Sequence, residues 1–331
     1  MTAAGRPAPV EPPANDVWTV LHMMRWSGAY LSEKGVERGR LDAEHLLAHA
    51  LGLERLQLYL QHDRPLTSVE LDRFRPLLRR RARREPLQYI LGTAAFREVE
   101  LAVDRRVLIP RPETEVLVQA VLDRMGGVDG GGDPGGGAPP VAPGGPTALD
   151  VGTGSGAIAV SLALEGPFAR VVATDASPEA LEVARANVEA AGVAERVELR
   201  DGALFGPLGP EERFDVVVSN PPYVADGEAD ALPPEVRDWE PAQALFAGPD
   251  GLAVLRDLLA GAPRHLAAGG LLAVEVGAGQ AAILAALLEE SEGWAEVEIG
   301  ADLAGRERVL LARRVAATSR AGNAAFENRD R

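Results

Sequence analysis

The sequence contains no cysteine and almost no lysine, and each absence excludes a class of protein. Without cysteine the chain has no disulfide and no thiolate metal site, a usage that fits a reducing, cytoplasmic setting. Only Lys34 is a lysine among the 34 basic residues, and 49 acidic residues bring the net charge to −15. Acidity argues against a protein that wraps nucleic acid, because neutralising phosphates requires a basic surface.

Long apolar runs are also missing. No segment approaches the roughly 20 apolar residues that a membrane helix needs. The stretch from Met1 to Asn15 has no apolar core of the kind found in signal peptides. We therefore expect no association with a membrane. An apolar fraction of 46% over 331 residues is nevertheless typical of a globular protein with a large core.

Changes in composition and periodicity divide the chain into five segments. They are a disordered tail (1–15), an all-helical domain (16–85), a linking β-hairpin (86–106), an α/β domain (107–315) and a disordered tail (316–331). Within the α/β domain, residues 126–146 are rich in glycine and proline and nearly without apolar side chains. Such a segment cannot form a core, so we predict a surface insertion there.

The helical domain contains two features that could be mistaken for sites. His45 and His49 have the i, i+4 spacing of metal ligands on a helix, but no third ligand is indicated, so no metal is expected. The basic run Arg79–Arg84 ends a helix that opens with the capping-box pattern Thr67–Glu70. These arginines can be explained by favourable interaction with the helix dipole on a solvent-exposed face. The alternative is that they contact an acidic partner or RNA.

The rest of the chain alternates short apolar strands with helices, which predicts a doubly wound, Rossmann-like α/β sheet. The predicted strands are Ala148–Val151, Val171–Thr174, Val197–Leu199, Val216–Ser219, Leu271–Val276, Val297–Ile299 and Val309–Ala312. The clearest predicted helices begin at Pro112 and cover Pro178–Ala191, Leu252–Ala260 and Gln280–Glu289. Because the last two of the seven strands lie close together in sequence, they predict an antiparallel hairpin at one edge.

A glycine-rich loop, Asp150–Gly156, joins the first strand of this sheet to its helix. Glycines permit a tight turn and close approach of a ligand to the backbone, and the helix N-terminus offers free amides. The spacing is G-x-G-x-G, which matches neither the dinucleotide fingerprint nor a phosphate loop with Lys-Ser/Thr. An acid two residues before the first glycine would repel a pyrophosphate and suits a ligand amine.

The second strand ends at Asp175, where a carboxylate can accept hydrogen bonds from ribose hydroxyls. A ligand that joins a zwitterionic amino acid to a nucleoside satisfies both features. The sequence therefore predicts S-adenosylmethionine.

A third motif, Asn220-Pro221-Pro222-Tyr223, follows the apolar run Phe214–Ser219. Two prolines cannot continue a sheet ladder, so the strand must stop and present Asn220 at its carboxyl end. Open α/β sheets bind their ligands at that edge. A simple turn is the alternative for Asn-Pro alone. The glycine loop and Asp175 on successive strands favour a site.

Together these motifs resemble the class I, seven-stranded methyltransferases, and within them the PrmC/HemK family that methylates a glutamine in translation release factors. The similarity covers about Val17 to Arg313 and includes the helical domain and the three motifs. Further matching pieces are Pro86–Gly92, Leu108–Glu115, Glu235–Pro241, Ala244, Leu245, Gly248 and Asp250–Leu252. Glu235–Leu252 is the most family-specific part, because Asn-Pro-Pro-Tyr also occurs in DNA and RNA amino-methyltransferases.

The resemblance implies methylation of the glutamine amide in the Gly-Gly-Gln motif of peptide chain release factors, with the helical domain recognising the substrate. It implies catalytic roles for Asn220, Pro221 and Tyr223, with Pro222 also in the substrate site. The expected donor contacts are Gly152, Thr153, Gly154, Ser155, Gly156, Asp175 and Asn220, together with either Asp201 or the backbone of Leu204. Glu113 and Glu115 either face the methionine end of the donor or are simply favourable charges at a helix N-terminus.

Two other functions compete with this one. A nucleic-acid N-methyltransferase acts on an exocyclic amine of similar planar geometry, but it needs a base-flipping pocket and a basic track. The acidic catalytic half and the lack of an added recognition domain argue against it. A binding module that kept only the cofactor fold would not need the intact Asn220–Tyr223 motif.

Overall fold

The computed structural model describes residues 17–126 and 144–315. The tails predicted over 1–15 and 316–331, and most of the predicted insertion over 126–146, lie outside the described residues. No helix within the described ranges is long and apolar enough to cross a membrane.

Two compact units make up the described chain. The first contains the residues up to Ala95, Glu100–Ile109 and Gly227–Ala242. The second contains Phe96–Val99, Pro110–Asp226 and the chain from Gln243 onward.

Five helices and a short later helix belong to the first unit: α1 (Val20–Glu33), α2 (Gly39–Leu51), α3 (Arg55–Leu60), α4 (Ser68–Ala82), α5 (Leu87–Leu91) and α9 (Pro234–Arg237). The capping box predicted at the start of α4 is present, with Thr67 and Glu70 each bonding the other's backbone N–H. Gly52 ends α2 in the left-handed conformation, at φ +64°. The packed core of these helices includes Leu46, Leu47 and Phe74, all fully buried. The six-residue α3 was not predicted.

The basic run at the end of α4 forms specific ion pairs within this unit. The buried Arg81 guanidinium donates to Asp42 at 2.7 Å and to Glu235 of α9 at 2.9 Å. Arg84 adds a bidentate pair with Glu235, at 2.7 and 2.6 Å. Arg79 and Arg83 remain exposed, as a solvated face predicts. The run is therefore only partly solvent-facing.

The predicted hairpin is present as a two-stranded sheet, β1 (Thr93–Phe96) and β2 (Val99–Ala102). A seven-stranded sheet forms the centre of the second unit: β3 (Thr147–Val151), β4 (Arg170–Asp175), β5 (Val197–Asp201), β6 (Phe214–Ser219), β7 (Leu266–Glu275), β8 (Trp294–Ala301) and β9 (Glu307–Arg314). All seven predicted strands of this sheet are confirmed. Their order is β5-β4-β3-β6-β7-β9-β8.

The first five strands of the large sheet pair in parallel, and β9 pairs antiparallel with both β7 and β8. The predicted edge hairpin is thus confirmed, with β8 outermost. Helices of this unit are α6 (Pro112–Met125), α7 (Ala157–Glu165), α8 (Pro178–Ala190), α10 (Ala253–His265) and α11 (Ala281–Glu290). The central strands are apolar on both faces because these helices cover them, which is why they appear in the sequence as continuous apolar runs. The observed sheet is the predicted doubly wound, Rossmann-like one.

Candidate active site

The sheet register brings the three sequence motifs to one edge. Val151 of β3 pairs with Thr174 of β4 on one side and with Ser219 of β6 on the other. The residues that follow these three positions are Gly152, Asp175 and Asn220. Carboxyl ends of adjacent parallel strands are where open α/β sheets form their ligand sites, so the motifs share one candidate site.

The glycine loop is fastened to the neighbouring strand by its own backbone. The amides of Gly152 and Thr153 donate to the Thr174 carbonyl at 2.8 and 2.9 Å. Gly154 donates to Oδ2 of Asp175 at 2.8 Å. Both glycines have positive φ, and a Cβ added to either would meet open space. The loop is therefore held from the β4 side while its other face stays open to an approaching ligand.

Asp150 supports this loop from below. Its side chain is fully buried, and Oδ2 accepts hydrogen bonds from Thr153 Oγ1 at 2.6 Å and from the Ala159 amide at 3.1 Å. Burial, with a smaller contribution from the Asp175 charge, raises the pKa of Asp150 to about 7. Both oxygens are shielded beneath the turn, so the acid that the sequence matched to a ligand amine supports the loop in this structure.

Asp175 lies at the end of β4, half-buried, with Oδ1 accepting from the Ser177 amide at 2.9 Å. Burial raises its pKa above the usual range. A carboxylate has about four lone-pair sites, so it retains capacity for further donors. Asp201 pairs in register with Asp175 at the end of β5 and is exposed. Leu204 has φ +50°, and its carbonyl accepts a hydrogen bond from Thr174 Oγ1 at 3.1 Å.

Asn220 follows β6 directly, and its side-chain amide is held by α6. Nδ2 of Asn220 donates to Thr114 Oγ1 at 2.9 Å. Among residues 17–126 and 144–315, no group donates to its Oδ1. Pro221 is buried and Pro222 half-buried, and neither contributes an N–H. The amide oxygen of Asn220 is thus left as an acceptor at the sheet edge.

Tyr223 is fixed at both its ring and its backbone. Its hydroxyl donates to Glu275 Oε1 at 3.2 Å, and its carbonyl accepts from Gln280 Nε2 at 2.9 Å. Burial is the main reason that the pKa of Tyr223 is raised, so the ring stays neutral. Val224 continues into a parallel bridge with Phe246. These contacts set the position of the motif's aromatic ring.

Thr114 and Glu275 are the site residues that the sequence did not predict. Thr114 Oγ1 donates to Glu275 Oε2 at 2.6 Å, and the carboxyl is completely buried at the end of β7. Burial raises the pKa of Glu275 to about 7. An acid that ends the apolar run Leu271–Val274 is the one sequence signal that could have drawn attention to it.

The two acids in the first turn of α6 have protein partners. Glu113 pairs with Arg306 at 3.1 Å, and Glu115 accepts from the Arg97 amide at 3.2 Å. His45 and His49 have metal-ligand spacing, but the described residues contain no group of three or more side chains that could hold a metal ion.

The residues at this edge suit a nucleoside whose polar extension lies along the loop backbone. Asp175 offers a half-buried carboxylate for ribose hydroxyls, and the glycine loop leaves an open backbone surface beside it. The residues present therefore fit S-adenosylmethionine.

Two family models match the chain. One describes a PrmC N-terminal domain and covers residues 22–92, and the other describes a methyltransferase small domain and covers residues 142–233. With the seven-stranded sheet, they define a methyltransferase preceded by a helical domain.

Curated relatives define the family more closely. A release factor glutamine methyltransferase from Geobacter sulfurreducens is 44% identical over 295 residues, 89% of this chain and 96% of that protein. Proteins of the same name from Rhodopirellula baltica and Chlorobaculum tepidum are 40% and 42% identical, each over 90% of this chain and 97% and 98% of their own. The chain belongs to the release factor glutamine methyltransferases. It is thus a protein-glutamine methyltransferase, and the nucleic-acid alternative is not favoured.

Proposed function

We propose that this enzyme transfers a methyl group from S-adenosylmethionine to the side-chain amide nitrogen of the glutamine in the Gly-Gly-Gln loop of peptide chain release factors. The names of its relatives support this substrate. Translation factors act in the cytoplasm, so the reaction is assigned there. The proposed chemistry rests on the orientation of the Asn220 side chain. Its Nδ2 donates to Thr114, so its Oδ1 is available to accept a hydrogen bond from the substrate amide.

The substrate amide is a poor nucleophile because its nitrogen lone pair is delocalised into the carbonyl. Oδ1 of Asn220 and the carbonyl of Pro221 each accept one of the two N–H bonds of the glutamine amide. These two acceptors orient the nitrogen and stabilise the positive charge that builds on it. Tyr223 stacks on the flat amide and helps to exclude water.

S-Adenosylmethionine supplies an activated methyl group on a sulfonium. As the nitrogen–carbon bond forms, the carbon–sulfur bond breaks, and the methylated nitrogen then loses one proton to solvent. The residues of the chain contribute positioning, which supplies most of the acceleration when the donor is already activated. No serine, cysteine or histidine nucleophile is needed.

For the donor we propose Gly152–Gly156 at the methionine portion and Asp175 at the ribose. The adenine contact is either the Asp201 carboxylate or the Leu204 backbone. The Leu204 carbonyl accepts from Thr174 and keeps a second lone pair, so its N–H and its carbonyl are both available for this contact.

Methyl transfer from labelled donor to purified release factor, RNA and DNA tests the substrate. Label is expected on release factor alone, and it should disappear when the loop glutamine of the factor is replaced by alanine. Label on nucleic acid and not on protein would overturn the proposal.

Asn220→Ala tests the catalytic role. We expect kcat to fall at least about 100-fold, since an oriented polar group in the transition state contributes that much. Donor affinity, measured by calorimetry, should stay close to wild type. Near-normal turnover by this variant would contradict the assignment.

A further inference from the structure

A chain of hydrogen bonds leads from Asn220 into the core of the sheet. Asn220 Nδ2 donates to Thr114 Oγ1 at 2.9 Å, and Thr114 Oγ1 donates to Glu275 Oε2 at 2.6 Å. The other carboxylate oxygen of Glu275 accepts from the Tyr223 hydroxyl at 3.2 Å. Three elements, α6, β7 and the segment after β6, therefore meet at one fully buried carboxyl group.

The direction of this chain is set by Glu275. An ionised carboxylate can only accept hydrogen bonds, so the hydroxyls of Thr114 and Tyr223 must both donate to it. Thr114 has a single hydroxyl proton, and once that proton is given to Glu275 its oxygen can only accept. The group of Asn220 that faces Thr114 must then be the NH₂ group and not the carbonyl oxygen.

This constraint decides which end of a nearly symmetric amide faces the substrate. The carboxamide of an asparagine has almost the same shape after a 180° flip, and only its hydrogen-bond partners distinguish the two orientations. With NH₂ held by Thr114, the oxygen of Asn220 is the atom left to accept from the substrate. The flipped orientation would present a donor to the donor groups of a glutamine amide, which is repulsive.

We propose that Thr114 and Glu275 are positioning residues that lock the amide orientation of Asn220, and that the ionised form of Glu275 is the form that locks it. The inference rests on the proposed function, because it assigns a purpose to the Oδ1 atom that the substrate amide is to meet. We assign neither residue a direct contact with the substrate. Thr114 acts through Asn220, and Glu275 acts through Asn220 and also holds the Tyr223 hydroxyl.

The surroundings of Glu275 make its ionisation responsive to pH. Thr114 and Tyr223 donate to it, the Arg308 charge favours the carboxylate, and the Glu113 charge opposes it. Burial outweighs the favourable contacts, so the pKa of the group is raised to about 7. Arg111 lies near Tyr223 and favours its ionised form, but burial keeps the phenol protonated.

Protonation releases the lock. A neutral carboxyl group carries its own O–H, so one of the two hydroxyls that donate to it must turn away or reverse. If the Thr114 hydroxyl reverses, its proton points to Asn220, and the flipped amide becomes equally well bonded. The productive orientation is therefore fixed above the pKa of Glu275 and loses its preference below it.

The first test compares two substitutions at one position. Thr114→Val keeps the shape and removes the hydroxyl, whereas Thr114→Ser keeps the hydroxyl. We expect Thr114→Val to lower kcat at least about tenfold, with donor affinity and release-factor KM within a factor of about three, since only orientation is lost. Thr114→Ser should restore most of the rate. Equal kcat for wild type and Thr114→Val would overturn the proposal.

The second test uses the pH profile. Wild-type kcat should fall as pH is lowered through about 7, where Glu275 takes up its proton. Glu275→Gln can bond both hydroxyls in either amide orientation, so the fold is retained while the lock is lost. For this variant we expect a lower kcat than wild type at pH 8, and no further fall of kcat as pH is lowered through 7. If kcat of Glu275→Gln still falls as it does in wild type, another group titrates and the role of the carboxylate is overturned.

A third readout does not depend on methyl transfer. The chain has five asparagines, so selective ¹⁵N labelling of asparagine yields only five side-chain amide signals. The signal that Asn220→Ala removes should move with pH near 7 in wild type and stay constant in Glu275→Gln. If this signal does not shift with pH in wild type, the coupling between Glu275 ionisation and the Asn220 amide is overturned. Wild-type protein that titrates in this way but methylates no release factor would instead contradict the proposed function alone.

Discussion

Ser219 and Val151 are joined by a hydrogen bond of 2.6 Å from the serine hydroxyl to the valine carbonyl. Ser219 is the last residue of β6 and Val151 the last residue of β3, so this bond ties together the two strand ends that lead into Asn220 and Gly152. The Asn220–Tyr223 motif and the glycine loop are thus fixed to one another at the point where each leaves the sheet.

Ser219→Ala should therefore weaken both the fold and the site. A buried hydrogen bond contributes about 1 kcal/mol, and we expect that loss in the unfolding free energy measured with urea. We also expect a several-fold lower kcat, because the two strand ends are no longer tied. Ser161→Ala is the matched control, since its buried hydroxyl has no partner within the described part of the chain. An equal loss in both variants would contradict the role of the bond.

Gly251→Ala should misplace Tyr223, the tyrosine of the proposed catalytic motif. A Cβ at Gly251 would lie 2.4 Å from the Tyr223 carbonyl oxygen, closer than real Cβ contacts come, and 3.0 Å from the Gln280 side chain, which is tighter than most. Because a shift of about 1 Å can cost about 100-fold in rate, we expect a kcat loss of that order. Gly248→Ala is the control: it has a similar φ, +80°, but its nearest neighbour would be 3.5 Å away. It should cost only the backbone strain, about 1–2 kcal/mol of stability. Comparable kcat values in the two variants would contradict this explanation.

Asp150→Asn should change how stability depends on pH. The folded-state pKa of Asp150 is raised to about 7, so the native protein holds a proton that the unfolded chain releases near pH 4. The contribution of this group to the unfolding free energy of the wild type is therefore complete below pH 4. It is lost as pH rises from about 4 through 7, by up to about 4 kcal/mol. Asparagine can accept the same two hydrogen bonds without a charge. The unfolding free energy measured with urea should fall less between pH 5 and pH 8 in the variant than in wild type. The same fall in both proteins would contradict the raised pKa of Asp150.

Arg81→Ala should unfold the helical unit far more readily than Arg79→Ala. Arg81 is buried between Asp42 and Glu235, and removing it leaves the buried Asp42 without its partner, while Glu235 keeps its pair with Arg84. Loss of one member of a buried ion pair costs about 3–5 kcal/mol. Arg79 lies on the same helix but is exposed, so its loss should stay within about 0.5 kcal/mol. Thermal melting that cannot separate the two variants would argue against the pairing.

The strand positions were predictable because strands covered on both faces must be apolar without interruption. Phe214–Ser219 and its parallel neighbours follow that pattern, and the prolines after Asn220 mark where the strand has to end. The glycine loop was equally clear, since its spacing constrains a tight turn. The physical cause of each signal is local, and the sequence therefore carries it.

Contacts between distant residues left no such signal. Thr114 and Glu275 are 161 positions apart, and only the assembled sheet places α6 beside the end of β7. Arg81 and Glu235 are separated by 154 positions, so the basic run could not be recognised as half of an ion-pair cluster. The burial of Asp150 left no signal for a related reason: a sequence shows that an acid precedes the loop but not that the loop closes over it.

The position of β9 between β7 and β8 has a consequence for synthesis of the protein. On the ribosome, β7 and β8 are both made before β9, yet neither can pair with the other across the gap that β9 fills. Until residue 314 has emerged, β7 presents an unpaired edge and β8 has no partner, and unpaired edges invite pairing with other chains. The nascent enzyme thus completes its sheet only when the last of the described strands has been translated.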